Sequence, residues 1–190
     1  MIFIISLLFI IFLHELGHLI AAKLCKCKVE IFAVGFGRTL FAKKIGETIY
    51  QLNLILLGGF CKLKGELDYS RSKYSFTNKT YLQKIFISLA GILVNVLTGL
   101  PALVYGYHIQ CQWLYSFGLY SLAIGLSNAL PIPCLDGAYP FWFLLEYKLG
   151  KKKTYALMTK VFAISFKILM VINILSIPWL IYLIYQGKIL

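Results

Sequence analysis

The fold class that this sequence predicts is an all-α polytopic membrane protein, with about four transmembrane helices and a small membrane-associated β-hairpin or sheet between the first and second. Three observations carry that expectation. Of 190 residues, 60% are hydrophobic and only 14% charged, and the mean hydropathy of +0.80 is far from that of a soluble domain. The apolar residues gather in runs at about 2–24, 85–107, 113–136 and 161–185, each near or above the ~20 residues that cross a bilayer. The basic residues gather between the runs. A net charge of +12 on a soluble chain suggests nucleic acid, but long apolar runs exclude that partner and make the lysines topology signals beside a lipid bilayer.

The first run, 2–24, contains fifteen Leu, Ile and Phe residues, which return about 0.3–0.6 kcal/mol each on insertion and outweigh the ~2.5–3.5 kcal/mol cost of an acid at the helix centre. It therefore inserts despite its polar centre, His14-Glu15-Leu16-Gly17-His18. No basic residue precedes the apolar core, so a transmembrane helix is expected rather than a cleaved leader. Four residues apart, His14 and His18 share a helix face, where two imidazoles can converge on one ion, and Glu15 is held beside them. Zinc takes about four ligands, and a catalytic site leaves one position open, so a third protein ligand is needed.

Twelve of the 19 basic residues lie from Lys23 to Lys84, so that segment is expected in the cytoplasm. The first helix then runs inward, and His14 sits ~13 Å before Lys23, inside the membrane toward its cytoplasmic face. Within the basic segment, Gly35-Phe36-Gly37 signals a turn, and 47–54 alternates as a strand that Gly58-Gly59 should break. A β segment at about 33–64 follows, either dipping into the interface or lying free in the cytosol. Residues 73–84 read as an interfacial helix.

The second span carries Gly91, Asn95 and Gly99 four apart, a spacing that lets helices pack closely and gives Asn95 a partner on another helix. Gluing helices together is as good an account of Asn95 as a functional role. The third span runs into Pro131 and Pro133, which a regular helix cannot hold. Broken backbone at membrane depth must line a cavity or be buried in protein, and this break delivers Asp136 on the same side as His14. Asp136 is the expected third ligand. After Lys151, Lys152 and Lys153 a last span leaves the cytoplasm, so the chain is one membrane-embedded domain, 1–190, with both ends outside. The five cysteines, at 25, 27, 61, 111 and 134, have no paired or metal-binding spacing; Cys25 and Cys27 are read as ordinary thiols and Cys134 as a small filler beside the break.

HELGH at 14–18 and NALPIPCLDG at 128–137, in that order and each within an apolar run, resemble the site-2 protease family of intramembrane zinc metalloproteases. The RseP-type branch is the most similar, through VGFGRTLF, LLGGFCKLKGE and SFTNKTYLQKIFISLAGILVN. The resemblance covers about Phe9 to Gly137. It implies a zinc metalloendopeptidase of the bacterial cytoplasmic membrane that cleaves transmembrane protein substrates. One catalytic zinc would be held by His14, His18 and Asp136, with Glu15 as general base. Asn128, Gly58 and Gly59 would bind an extended substrate strand. Ile92, Cys134 and Ala138 depart from the family pattern, at positions that bear on substrate fit rather than on metal. No stretch suits the PDZ or CBS domains that filter substrates in related branches, and a regulatory membrane protein is one candidate partner. Two other readings remain: an inactive family member that binds or regulates, and a metal or proton transporter built on intramembrane His and Asp.

Overall fold

The computed structural model describes residues 2–67 and 69–185. Helix α1 (Ile2–Leu24) leads into strands β1 (Val29–Ile45) and β2 (Thr48–Leu63), and helices α2 (Tyr81–His108), α3 (Gln112–Asn128), α4 (Tyr139–Leu149) and α5 (Lys151–Tyr185) follow. Helix α2 starts where Thr80 and Gln83 form a reciprocal capping box, satisfying two backbone N–H groups that the first turn leaves free. It returns through a tight turn into α3, and the two helices touch backbone to backbone. A Cβ on Gly118 would stand 2.3 Å from the Leu103 nitrogen, so only glycine permits that contact.

The strands form one sheet of unusual register. The outer half of β1 pairs with β2 as a hairpin, from Ile45 with Thr48 to Thr39 with Asn53. Residues Ile31 to Val34 are paired along both edges, with Lys62 to Gly59 on one side and Ile49 to Leu52 on the other. The chain doubles back at Gly35 and Gly37, whose φ values of +89° and +79° suit glycine alone. At Gly35 the carbonyl oxygens of Asn53 and Ile55 would lie about 3 Å from any Cβ. The inner part of the sheet rests on α1, with Phe32 edge-on to Phe12 at 5.8 Å.

Beside the C-terminal end of α1 lies a core built from Leu19, Ala22, Val29, Phe76, Ile87 and Tyr139, joined by Trp142, Phe143 and Met158. At the same level, buried Lys84 of α2 donates to Glu146 of α4 at 2.5 Å, with the Phe143 and Tyr155 rings 5.3 and 5.5 Å from its ammonium. Away from this end the helices show apolar side chains outward, among them Ile5 and Phe9 on α1 and Leu97 and Leu100 on α2.

Several expectations need correction. The chain is not all-α, because two strands of 17 and 16 residues form a substantial sheet. Four transmembrane helices are also not found among the described residues. Among the described residues two helices are long and apolar enough to cross a membrane, Ile5–Leu24 and Tyr81–His108. The third run makes a helix of 17 residues, shorter than the ~20 needed, because its prolines end it at Asn128. The last expected span, 161–185, falls in α5, and the side chains of much of it lie outside the described residues. Gly58-Gly59 does not break β2, since cross-strand pairing at Gly59 carries the strand through. The 73–84 segment holds only a short 3₁₀ turn, Phe76–Asn78, before α2 begins. Lys84, counted as a cytoplasmic charge, is 3% exposed and spent on Glu146.

Breaking that buried pair should cost about 3–5 kcal/mol, because one charge is left without a partner. Glu146→Ala should therefore unfold at a markedly lower temperature in detergent, while Lys84→Met/Glu146→Leu recovers most of the loss. A single variant as stable as the wild type would show that the pair is not structural.

Candidate metal centre

Helix α1 places His14 and His18 on the face that packs against α2, and both rings are buried. The approach is close because each helix contributes a glycine. A Cβ on Gly17 would lie 2.7 Å from the Ala90 carbonyl oxygen, and one on Gly91 would lie 2.4 Å from His18 Nε2 and 2.6 Å from His14 Nε2. Asp136 arrives from the irregular chain after α3. There Gly137 lets the break fold onto the end of that helix, since its Cβ would meet the Ala129 carbonyl oxygen at 2.1 Å.

The three side chains converge. Asp136 Oδ2 lies 2.9 Å from His14 Nε2 and 3.3 Å from His18 Nε2, and the two Nε2 atoms are 3.3 Å apart. Donors held ~2.0–2.1 Å from a tetrahedral zinc stand about 3.3 Å from one another, so this set fits the ion. The far side of each ring is also engaged. His18 Nδ1 donates to the Ile87 carbonyl at 2.8 Å, and a carbonyl can only accept, so Nε2 is the nitrogen with a free lone pair. His14 Nδ1 lies 3.1 Å from the Asn95 amide nitrogen.

Glu15 is buried beside this group, on the side covered by β2. A Cβ on Gly59 would stand 2.8 Å from Glu15 Cγ and 3.3 Å from Oε1, so the bare backbone of β2 passes directly over the carboxylate. Gly58 instead backs onto the Phe36 ring. Asn128, half-buried at the end of α3, donates to the Ile124 carbonyl of its own helix at 3.1 Å. Of the sequence-derived residues, then, His14, His18 and Asp136 meet, Glu15 and Gly59 lie against each other, and Gly58 and Asn128 face other partners.

Sequence reasoning missed Glu66. Its Oε1 accepts from the Tyr139 hydroxyl at 2.5 Å and its Oε2 from the Leu63 N–H at 3.1 Å, which ties the end of β2 to the turn that carries Asp136. The only signal in the sequence was an isolated acid closing the LKGE segment. Asn95 was noticed, but its contact with His14 was not. The cysteines form no metal group among the described residues; burial pushes the Cys27 thiol up to about 12 and raises that of Cys61, so both stay protonated.

An HExxH helix completed by an aspartate from a second, broken helix defines a metallopeptidase-type centre set between apolar helices. The chain belongs to Peptidase family M50, whose model matches residues 2–111. This is the site-2 protease family, whose members are membrane proteases. It is 45% identical over 104 residues to a protein of Borreliella burgdorferi, covering 50% of this chain and 24% of that one. A Clostridium perfringens protein is 45% identical over 91 residues, covering 48% and 27%. A Helicobacter pylori protein is 41% identical over 101 residues, covering 50% and 29%. All three carry the name "Putative zinc metalloprotease". The chain spans about a quarter of the length of these relatives.

Two outcomes check this geometry. Gly91→Ala would put a methyl where the two imidazole nitrogens meet, so the purified protein should keep its helix content yet lose zinc by elemental analysis; stoichiometric zinc would contradict the packing described. Burial raises the Glu66 carboxyl above its ordinary 4.5 despite its two hydrogen bonds. The folded chain therefore holds that proton more tightly than the unfolded chain, and stability falls as pH rises above 4.5 toward the raised value. As pH rises from 4.5, the unfolding temperature of Glu66→Gln should drop less than that of the wild type. Parallel pH profiles would place the Glu66 proton elsewhere.

Proposed function

We propose that this chain is a zinc metalloendopeptidase of the site-2 type that hydrolyses peptide bonds within or beside transmembrane segments of other proteins. The observation that carries the reading is the convergence of His14, His18 and Asp136 beside Glu15, between two helices apolar enough to span a bilayer. His14 and His18 would hold zinc through Nε2, and Asp136 through its carboxylate. Bound there, the ion polarises a peptide carbonyl and makes water acidic enough to be deprotonated near neutral pH.

Glu15 takes the proton on its carboxylate and later returns it to the leaving amide nitrogen. Burial beneath β2 keeps that proton from exchanging freely with solvent. A helical substrate hides its carbonyls in its own hydrogen bonds, so the reacting stretch must unwind and find replacement partners. Residues 59–62 of β2 are paired along one edge, with β1, and the other edge offers backbone groups to an extended segment next to Glu15. Gly59 suits this place because a side chain would displace Glu15. Asn128, at the end of α3, would bind the substrate backbone after turning from Ile124.

The basic residues between Lys23 and Lys84 support a topology with the site toward the cytoplasmic side of a bacterial membrane. Partners would be single-span substrates and a regulatory membrane protein. Glu15→Gln should retain one zinc per chain and lose at least ~100-fold in cleavage of a co-expressed single-span substrate, the lower range of general-base contributions. Undiminished cleavage would remove Glu15 from the reaction.

A further inference from the structure

One turn beyond Gly91 on α2, Asn95 is completely buried, and its side-chain amide lies against the outer nitrogen of His14, 3.1 Å from Nδ1. With the amide nitrogen turned to His14, Asn95 Oδ1 meets no hydrogen-bond partner, so no second side-chain bond holds the amide in that orientation. The two ends of an amide have nearly the same shape and exchange places by a half-turn. After that turn Oδ1 faces Nδ1 and accepts a proton from it.

A cation at His14 requires that orientation. With the Nε2 lone pair on the ion, a neutral imidazole carries its proton on Nδ1 and needs an acceptor there. His18 has such an acceptor in the Ile87 carbonyl, which can serve only one tautomer. Asn95 serves both. With its nitrogen toward His14 it donates to Nδ1, which leaves the ring proton on Nε2 facing Asp136 at 2.9 Å; with its oxygen toward His14 it matches the metal-loaded ring.

Its own backbone is fixed from α3. Ser121 donates to the Asn95 carbonyl at 3.0 Å, and Gly125 makes room for the Asn95 Cβ, which would be 3.0 Å from any Cβ added there.

We propose that Asn95 is a positioning residue of the metal centre: its Oδ1 accepts from His14 Nδ1–H and so fixes the tautomer and ring orientation that present Nε2 to the ion. The inference rests on the zinc reading of the His14, His18 and Asp136 group. It gives α3 a second task, since the helix that leads to Asp136 also braces the partner of His14.

The test is zinc affinity of the purified full-length chain by competition with a chromophoric chelator. Asn95→Leu, similar in size but without an acceptor, should bind zinc about 10–100-fold more weakly. Asn95→Asp keeps the acceptor and should bind as tightly as the wild type or more so. Zinc-loaded wild type should also show protected Nδ1 protons on both His14 and His18 by nitrogen-resolved NMR, a readout that needs no variant to fold.

Wild-type affinity in Asn95→Leu would overturn the proposal. Equal losses in Asn95→Leu and Asn95→Asp would do so as well, by making Asn95 a packing residue, and so would a zinc-loaded His14 with no proton on Nδ1. A wild type that binds no zinc would refute the zinc reading itself, a result separate from these.

Discussion

Helices α1 and α2 meet at Gly17 and Gly91 with no side chain between them, and the geometry of the site follows from that contact. Two imidazoles four residues apart on one helix are a common arrangement and bind nothing by themselves. Here they are pressed against a second helix that has no side chain at Gly91, and Gly17 between them leaves room for the Ala90 carbonyl. That approach fixes the ring planes and lets the Ile87 carbonyl and the Asn95 amide reach the outer nitrogens. It also leaves the two Nε2 atoms 3.3 Å apart, facing the direction from which Asp136 comes.

Asp136 depends on different forces. It opens a single 3₁₀ turn, Asp136–Ala138, between α3 and α4, and one short turn cannot fix its position alone, so its place is set from both sides. Before it, the break folds onto the end of α3 through Gly137. After it, Tyr139 is anchored on Glu66, and α4 is anchored on α2 by the buried Lys84–Glu146 pair. Polar bonds beside the C-terminal end of α1 thus stabilise a ligand for a site between apolar helices. The sheet completes the enclosure by laying a backbone without a side chain over Glu15.

The legible part of this arrangement was what short spacing encodes. His14 and His18 at helical spacing, the prolines at 131 and 133, and the glycine turn at 35–37 each have a local cause, and the structure shows each as a local feature. The illegible part was decided by partners far away in the chain. Gly59 reads as a strand breaker until its pairing with Val34 is known, and Lys84 reads as a topology charge until Glu146 is placed against it. Run length misled too. The third apolar run is long in composition, but proline geometry shortens the helix to 17 residues. Asn95 reads as a residue with a partner on another helix, and it has one in His14; its spacing does not say which helix, and in the structure Gly99 faces α3 while Gly91 and Asn95 face the histidines.

The proposed function requires one zinc held by two imidazole nitrogens and a carboxylate drawn from α1 and from the break after α3. X-ray absorption at the zinc edge of the purified protein checks this without relying on activity. One zinc per chain is expected, with only nitrogen and oxygen neighbours at about 2.0–2.2 Å and the outer-shell pattern of two imidazoles. A sulfur neighbour at about 2.3 Å, or a single imidazole, would contradict it.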